Sequence, residues 1–379
     1  MAPLVWAEVD LDALAHNVRE VRRLAPGAQV CAVVKADAYG HGAAEAARAA
    51  LEAGAGRLAV ARAGEGAALR KAGITGAPIL VLGYTPPEDV EEVFRHRLTP
   101  SVHHPEGALL LSEAAAARKT RLAVHVKVDT GMGRLGFPWD GGAEILRAAR
   151  LPGLFIEGIY THLASADAAD KTFARLQLER FAQCCRELAR QGLSIPLKHA
   201  ANSAAVIDLP ESHLDMVRPG IMLYGALPSE ERGKNRVCLR PVMSLFACVV
   251  QVKKVPAGFP VGYGSTYVTS RPTVIATVAA GYADGYSRLL SNRGEVLIRG
   301  RRAPVVGRVS MDSITVDAGE FPDLQPGEEV LLFGRRGEAE LPVEEVARKT
   351  GTISYEVLTR ITARVPRVFR PAARRETSG

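Results

Sequence analysis

Eight short apolar runs alternate with helical patterns through the first two thirds of the chain, and this alternation restricts the fold more than any single residue does. The strand candidates are 29–36, 57–61, 78–83, 98–102, 121–128, 155–161, 197–201 and 215–218. Ala- and Arg-rich helical stretches lie between them at 40–54, 64–72, 87–96, 105–117, 140–150, 171–191 and 203–208, and another at 11–24 precedes the first strand. Strands joined by crossover helices in this number predict an α/β fold whose N-terminal part is a (β/α)8 TIM-type barrel. An open doubly wound sheet is the competing architecture, but no G-x-G-x-x-G both follows a strand and opens a helix.

The character changes after residue 232. Met243–Val255, Thr273–Ala280, Gly294–Arg299, Ala303–Val309, Ser313–Asp317 and Glu329–Phe333 are rich in Val, Ile and Thr and are separated by Gly and Pro. Only Val343–Lys349 reads as a short helix there. A mostly β C-terminal domain over 233–379 is therefore predicted after a barrel over 1–232, the polar stretch Leu227–Asn235 being the junction. Met1–Asp10, although placed with the barrel by number, is able to pack with the second domain.

A chain of 379 residues, 47% of them hydrophobic, can bury a large core. Its formal charge is +7, yet the arginines are scattered rather than massed in a stripe. The basic balance is read as a solvated surface that also draws in anionic small molecules, with no nucleic-acid partner. Met1–Asp10 has neither a basic leader region nor a long apolar one, and no run approaches the ~20 apolar residues that span a bilayer. No membrane association is expected. The five cysteines form no C-x-x-C pair and are odd in number, which predicts reduced thiols in a cytoplasmic protein and no metal site.

Lys35 closes the apolar run Gln29–Ala36, in a chain with only 10 lysines against 38 arginines. Val30, Val33 and Val34 read as a strand buried on both faces. A lysine ending such a strand is partly desolvated, which disfavours its ammonium form and leaves a nucleophilic amine. Amines of this kind form Schiff bases with carbonyls, that of pyridoxal phosphate included. The alternative reading is a strand-end lysine that reaches solvent. Barrel enzymes work at the C-terminal ends of their strands. The polar residues at those ends are Lys35, Tyr39, Arg134, His162, Asn202, Ser203 and Arg218. Singly, each has a structural explanation: His162 as a satisfied core histidine, Arg134 as an ordinary loop cation. Seven such groups on one rim are harder to explain by structure alone.

These residues lie in AVVKADAYGHGA (32–43), VKVDTGMGRLGF (126–137), GIYTHLASAD (158–167), ANSAA (201–205) and VRPGIMLYG (217–225). With VGYGSTY (261–267), VAAGYADGYSR (278–288), GRVSMD (307–312) and TISYEVLTRITARVPR (352–367), these stretches resemble the alanine racemase family, in order and over nearly the whole chain. The resemblance implies interconversion of L- and D-alanine, with D-alanine destined for bacterial peptidoglycan. It implies pyridoxal 5'-phosphate held as an internal aldimine on Lys35, its phosphate approached by Tyr39, Ser203, Tyr355 and the backbone at Gly220 and Ile221, with Asn202 beside them. A glycine suits that place, because without Cβ the backbone N–H groups can close on an anion.

By the same resemblance Arg134 donates to the cofactor's phenolic oxygen and helps hold the substrate carboxylate. Arg218 stands against the pyridine nitrogen, a fixed cation that keeps the nitrogen unprotonated and the ring a weaker electron sink. Lys35 serves the D-enantiomer and Tyr263 the L-enantiomer, with His162 and Arg218 easing loss of the Tyr263 proton. Tyr263, Met311 and Asp312 would complete the neighbouring subunit's site in a two-fold homodimer with shared active sites. Asp167, Tyr282, Arg288, Arg308 and Tyr355 resemble the narrow entrance. Lys127 resembles a lysine that is carbamylated in some members, and Ser310 stands where cysteine is frequent. From the residues alone, Tyr263 in Gly262-Tyr-Gly264 reads better as a turn aromatic. A barrel-fold pyridoxal decarboxylase and a non-catalytic pyridoxal-phosphate carrier are the competing functions. The first generally sets a carboxylate at the pyridine nitrogen, and the second resembles the barrel alone.

Overall fold

The computed structural model describes residues 3–229 and 237–370. Most of the expected junction, and the expected boundary between 232 and 233, lie outside the described residues.

Eight parallel strands follow one another in chain order: Gln29–Val33, Arg57–Val60, Ile79–Val81, Thr99–Val102, Leu122–Asp129, Leu154–Tyr160, Leu197–His199 and Met216–Val217. The eighth returns to the first, Val217 opposite Val30, so the sheet curls into a barrel. Between the seventh and eighth strands the seam is bridged by backbone bonds from Asp215 N to Lys198 O (3.1 Å) and from Arg218 N to Ala201 O (2.9 Å). Every residue of the second, third and fourth strands is buried, as expected for strands covered by helices outside and packed side chains inside. The interior is not wholly apolar: Ser101, His125, Lys127, Tyr160 and His199 are buried within it.

The helix Leu11–Leu24 shows how local sequence builds this shell. Asp10 caps it by accepting from Ala13 N at 2.9 Å, and Arg22 and Arg23 complement the dipole of its last turn. Leu14, Val18 and Val21 repeat at helical spacing on its buried face.

The segment after the first strand departs from the sequence reading, which starts a helix at residue 40. Ala36, Asp37, Ala38 and Tyr39 instead form a left-handed turn with φ of 52, 52, 54 and 56°. Left-handed geometry costs L-residues about 1–2 kcal/mol each, so neighbours must hold it. Glu65 accepts from Ala36 N at 2.7 Å, and Asp37 Oδ1 accepts from Ala43 N at 2.7 Å. The buried His41 lies with Nδ1 2.9 Å from Ala38 O and 3.1 Å from Tyr39 O. The helix proper runs from Ala43 to Glu52.

The mostly β domain is built on the long strand Met243–Val255. It pairs with Glu329–Arg336 on one side and with Val5–Asp10 on the other, and Val5–Asp10 pairs in turn with Arg367–Arg370. The strand preceding the barrel thus belongs to this second sheet. A bulge between Val249 and Gln251 lets the far half of Met243–Val255 pair with Thr273–Val278, which pairs with Ile314–Asp317. Two details differ from the sequence reading. The run 303–309 contributes a strand only over Arg301–Pro304, and a second helix, Ser354–Thr359, follows Val343–Thr350. Ser354–Thr359 is only six residues long and buries Val357 and Leu358, too few positions to declare a period. No helix among the described residues is long and apolar enough to cross a membrane.

Candidate active site

The C-terminal ends of the barrel strands and the helix Ser354–Thr359 enclose a cavity of about 470 Å³. Lys35, Tyr39, Lys127, Arg134, His162, Asn202, Ser203, Arg218, Gly220, Ile221 and Tyr355 all line it. The residues predicted on the rim are therefore brought together.

Lys35 leaves the first strand just before the left-handed turn, which sets both it and Tyr39 on the cavity wall. Burial, and then the Arg134 cation, lower its ammonium pKa, with Glu65 opposing them. A larger share of the amine is thus free to act as nucleophile or base.

One wall is made of neutral donors. Asn202 caps the helix Ser203–Asp208 by accepting from Ala205 N at 3.0 Å. Ser203 Oγ accepts from Gly220 N at 2.9 Å and from Met222 N at 3.4 Å, which leaves its hydroxyl hydrogen to donate elsewhere. The ring of Tyr39 lies 4.8 Å from that of Tyr224 and 6.0 Å from that of Tyr355. Burial pushes the Tyr39 phenol up to about 12 and raises that of Tyr355, so both stay protonated donors. A Cβ on residue 220 would fall 2.4 Å from the Tyr39 hydroxyl, so only glycine keeps this wall closed.

Another part of the lining is cationic. Arg218 is 4% exposed and donates to His199 Nδ1 (2.7 Å), Thr161 O (2.7 Å) and Ala200 O (3.1 Å). Burial brings its pKa down to about 10, which still leaves it charged at neutral pH. Its guanidinium lies 5.0 Å from the centre of the Tyr160 ring, which stacks on His199 at 4.7 Å. Lys127 Nζ lies 5.3 Å from the same ring and donates to Val128 O at 3.1 Å. Burial first, then Arg218, bring the Lys127 amine down to about 7. Burial, followed by Arg218 and Lys127, also pushes His162 well below its ordinary value and keeps it neutral.

The hydrogen bond of Arg218 Nη1 goes to His199, the end of the neighbouring seventh strand. His199, Tyr160, His125 and Glu65 were not singled out from the sequence. Part of the signal was available: His125 and Lys127 are two apart on one strand and so share its inward face.

The remaining predicted residues lie outside this cavity. Tyr263 sits in a turn of the β domain after Gly262 (φ 74°) and is 73% exposed. Tyr282, Arg288, Arg308, Met311 and Asp312 are exposed on the same domain. Tyr282 N donates to Ser310 O and Ala283 N to Met311 O, both at 3.0 Å, which ties two of these loops together. Arg364 then bridges Asp284 and Asp312 at 2.9 Å each. Asp167 is exposed on the barrel, close enough for its charge to raise the Tyr355 phenol.

The cavity's chemistry fits pyridoxal phosphate. It offers an amine with a depressed pKa, hydroxyl and backbone donors around a glycine cradle for a phosphate, and a buried guanidinium for the ring.

The described family Alanine racemase, N-terminal domain, matches residues 9–228, and Alanine racemase, C-terminal domain, matches residues 242–369. The chain is 51% identical over 365 residues to the alanine racemase of Carboxydothermus hydrogenoformans, covering 96% of this chain and 99% of that one. Its fold matches the alanine racemase of D-cycloserine-producing Streptomyces lavendulae with a TM-score of 0.93 at 40% identity, over 98% of both chains. It also matches the alanine racemase of Bartonella henselae with covalently bound pyridoxal phosphate, at 31% identity and a TM-score of 0.88, over 97% of this chain and 100% of that one. Matches to both domains, and to relatives over nearly their whole lengths, make this chain a member of the alanine racemase family.

Proposed function

We propose that this protein interconverts L- and D-alanine by removing a proton from one face of Cα and returning one to the other, with Lys35 and Tyr263 as the two bases. The observation that carries the reading is the Lys35 amine, lowered in pKa, in one cavity with a buried Arg218 and a donor-lined glycine cradle. Pyridoxal phosphate, covalently held at Lys35, supplies the electron sink that makes the Cα–H acidic.

The chain's own groups do the rest. Tyr39, Ser203, Tyr355 and the backbone at Gly220 and Ile221 hold the phosphate, and Asn202 beside them caps the helix that begins at Ser203. Arg134 holds the substrate carboxylate. Arg218 stays charged at the ring nitrogen and keeps a proton off it, which favours return of a proton to Cα over other fates of the electron pair. Lys35 exchanges the proton on the D face and Tyr263 on the L face, with His162 as a neutral group near the cationic wall. Tyr263, Met311 and Asp312 act in the site of a second copy of this chain. The 73% exposure of Tyr263 in a single chain supports that arrangement, since a base needs an enclosed site.

Asp167, Tyr282, Arg288 and Arg308, with Tyr355, narrow the entrance to that shared site. Lys127 carries a carbamate that steadies Arg134. The two folding units divide at residues 232 and 233, within the stretch that separates the two family matches. The protein is read as a cytoplasmic homodimer that supplies D-alanine for peptidoglycan, with no nucleic-acid or membrane partner. A decarboxylase calls for a carboxylate at the ring nitrogen, whereas the hydrogen bonds of Arg218 go to a histidine and two carbonyls. Chiral analysis of L-alanine incubated with the purified protein and pyridoxal phosphate tests the reading. D-alanine approaching an equal mixture is expected, and ethylamine as the main product would overturn it.

A further inference from the structure

Six polar side chains of the barrel form one hydrogen-bonded line. Arg218 Nη1 meets His199 Nδ1 at 2.7 Å, His199 Nε2 meets His125 Nδ1 at 2.8 Å, and His125 Nε2 meets Glu157 Oε2 at 3.1 Å. Glu157 is gripped by both terminal nitrogens of Arg57, at 2.7 and 2.9 Å, and Arg57 Nε donates to Gln29 Oε1 at 3.1 Å. Gln29 and Arg57 begin their strands, so the line runs from the cavity toward the opposite end of the barrel. The space for it is built in. A Cβ on Gly158 would fall 2.5 Å from the His125 ring, so the neighbouring strand leaves room for the imidazole only by being glycine there.

The direction of every bond follows from the two ends. A guanidinium can only donate, so His199 Nδ1 must be a bare acceptor and the His199 proton must sit on Nε2. That N–H points at His125 Nδ1, which must then be bare as well, leaving the His125 proton on Nε2 and aimed at the Glu157 carboxylate. A carboxylate can only accept, so the far end agrees with the near end. Each histidine is thus confined to one tautomer from both sides. Burial holds both imidazoles neutral, and His125 with Arg57 hold the Glu157 carboxyl down to about 2, so the line keeps these states through the neutral range.

We propose that Glu157 is a positioning residue for the reaction: through His125 it fixes the His199 tautomer, and so the orientation of the Arg218 guanidinium toward the cofactor ring. This rests on the reading that Arg218 stands at the ring nitrogen. Three of the Arg218 donors are spent on His199, Thr161 and Ala200, which leaves Nε–H and one Nη1–H to face the cavity. If His199 turned its proton to Nδ1, two donors would confront each other across 2.7 Å and the guanidinium would have to rotate away. The ring nitrogen would then be free to take a proton, and the strengthened electron sink would allow another outcome. Alanine and the bound pyridoxal form would pass slowly to pyruvate and the pyridoxamine form.

The experiment compares the pyridoxal-phosphate-loaded wild type with Glu157→Gln, which keeps the shape of the side chain but removes its charge. His125→Leu cuts the line while leaving the Arg57–Glu157 pair whole, and so covers a failure of Glu157→Gln to fold. In 15N-histidine-labelled wild type, His125 and His199 are expected wholly as Nε2–H tautomers. In both variants His199 keeps only the Arg218 side of its constraint, so a minor Nδ1–H population absent from the wild type is expected there, and pyruvate formed per racemisation event is expected to rise about tenfold or more, the order of magnitude found for outer hydrogen-bond partners of metal-bound histidines. An unchanged His199 tautomer together with an unchanged product ratio in the folded variants overturns the proposal. Arg218→Glu is run beside them: if it raises pyruvate while the other two do not, the relay alone fails. If it too leaves the ratio unchanged, the placement of Arg218 at the ring fails and the relay falls with it.

Discussion

Gly220 and Tyr39 approach so closely that a Cβ on residue 220 would lie 2.4 Å from the tyrosine hydroxyl. Tyr39 cannot simply withdraw, because it ends a left-handed turn fixed by Glu65 and His41, and its ring is packed against Tyr224. Gly220→Ala should therefore open the phosphate cradle by shifting either the phenol or the backbone that donates to Ser203. The expected result is pyridoxal-phosphate binding weakened about tenfold or more, the loss of roughly one charge-assisted hydrogen bond. Absorbance titration of the cofactor-free protein measures it, and an unchanged affinity would place the phosphate elsewhere.

Lys35 lines the barrel cavity while Tyr263 stands on the other domain outside it, and this separation gives a test of subunit sharing. Lys35→Ala and Tyr263→Phe chains are each expected to be nearly inactive. If every site draws its lysine from one chain and its tyrosine from the other, a mixed dimer contains one intact site. Random reassortment of equal amounts should then recover about one quarter of wild-type activity, since half the dimers are mixed and each has one good site of two. No recovery after confirmed subunit exchange would mean that both bases come from a single chain. Tyr263→Phe alone should slow solvent-deuterium exchange from L-alanine far more than from D-alanine.

The parts of this molecule that are legible in the sequence are those that local physics decides. The barrel strands read correctly because burial on both faces makes them short continuous apolar runs, and Leu11–Leu24 because a cap precedes a helical period. The turn Ala36–Tyr39 was not legible. It contains neither Gly nor Asn at its positive φ angles, and it is imposed by Glu65 and His41 from outside. Lys35 could be suspected from its strand, but Tyr263 could not, since Gly-Tyr-Gly carries no signal beyond a turn. The line through His125 and His199 was hidden for another reason: hydrogen bonds between three different strands have no spacing in the sequence.

Lys127 presents a chemical choice that can be read directly. Burial and the neighbouring Arg218 bring its amine down to about 7, so near neutrality its uncharged form is far more populated than that of an ordinary lysine. Only the uncharged amine adds to carbon dioxide, forming an N–C bond and releasing a proton. The product exchanges a cation for an anion beside Arg134 and Arg218. Protein equilibrated with 13C-bicarbonate is expected to show a carbamate carbon signal that Lys127→Ala lacks, and the variant should lose about tenfold in activity through a less ordered Arg134. Absence of the signal at neutral pH would leave Lys127 as an unmodified amine donating to Val128 O.

Acid should loosen this protein well before its carboxylates are neutralised, and His41 shows why. It is fully buried, it holds the left-handed turn through Ala38 and Tyr39, and burial brings its pKa down to about 4 from an ordinary 6.5. Between those two values the unfolded chain binds a proton that the folded chain refuses, so stability falls as pH drops below 6.5 and levels off only near 4. At pH 5 the difference comes to about 2 kcal/mol from His41 alone. His103, His125, His162 and His199 are all shifted in the same direction by burial and steepen the loss. Urea midpoints measured from pH 7.5 to pH 4.5 should hold steady above about 6.5 and then decline. His41→Gln should lower the midpoint at pH 7.5 yet show a shallower decline below 6.5, because the substituted side chain takes up no proton in either state. An equal slope in both proteins would mean that the fold takes up the His41 proton as readily as the unfolded chain does, and that burial of this ring does not set the acid sensitivity.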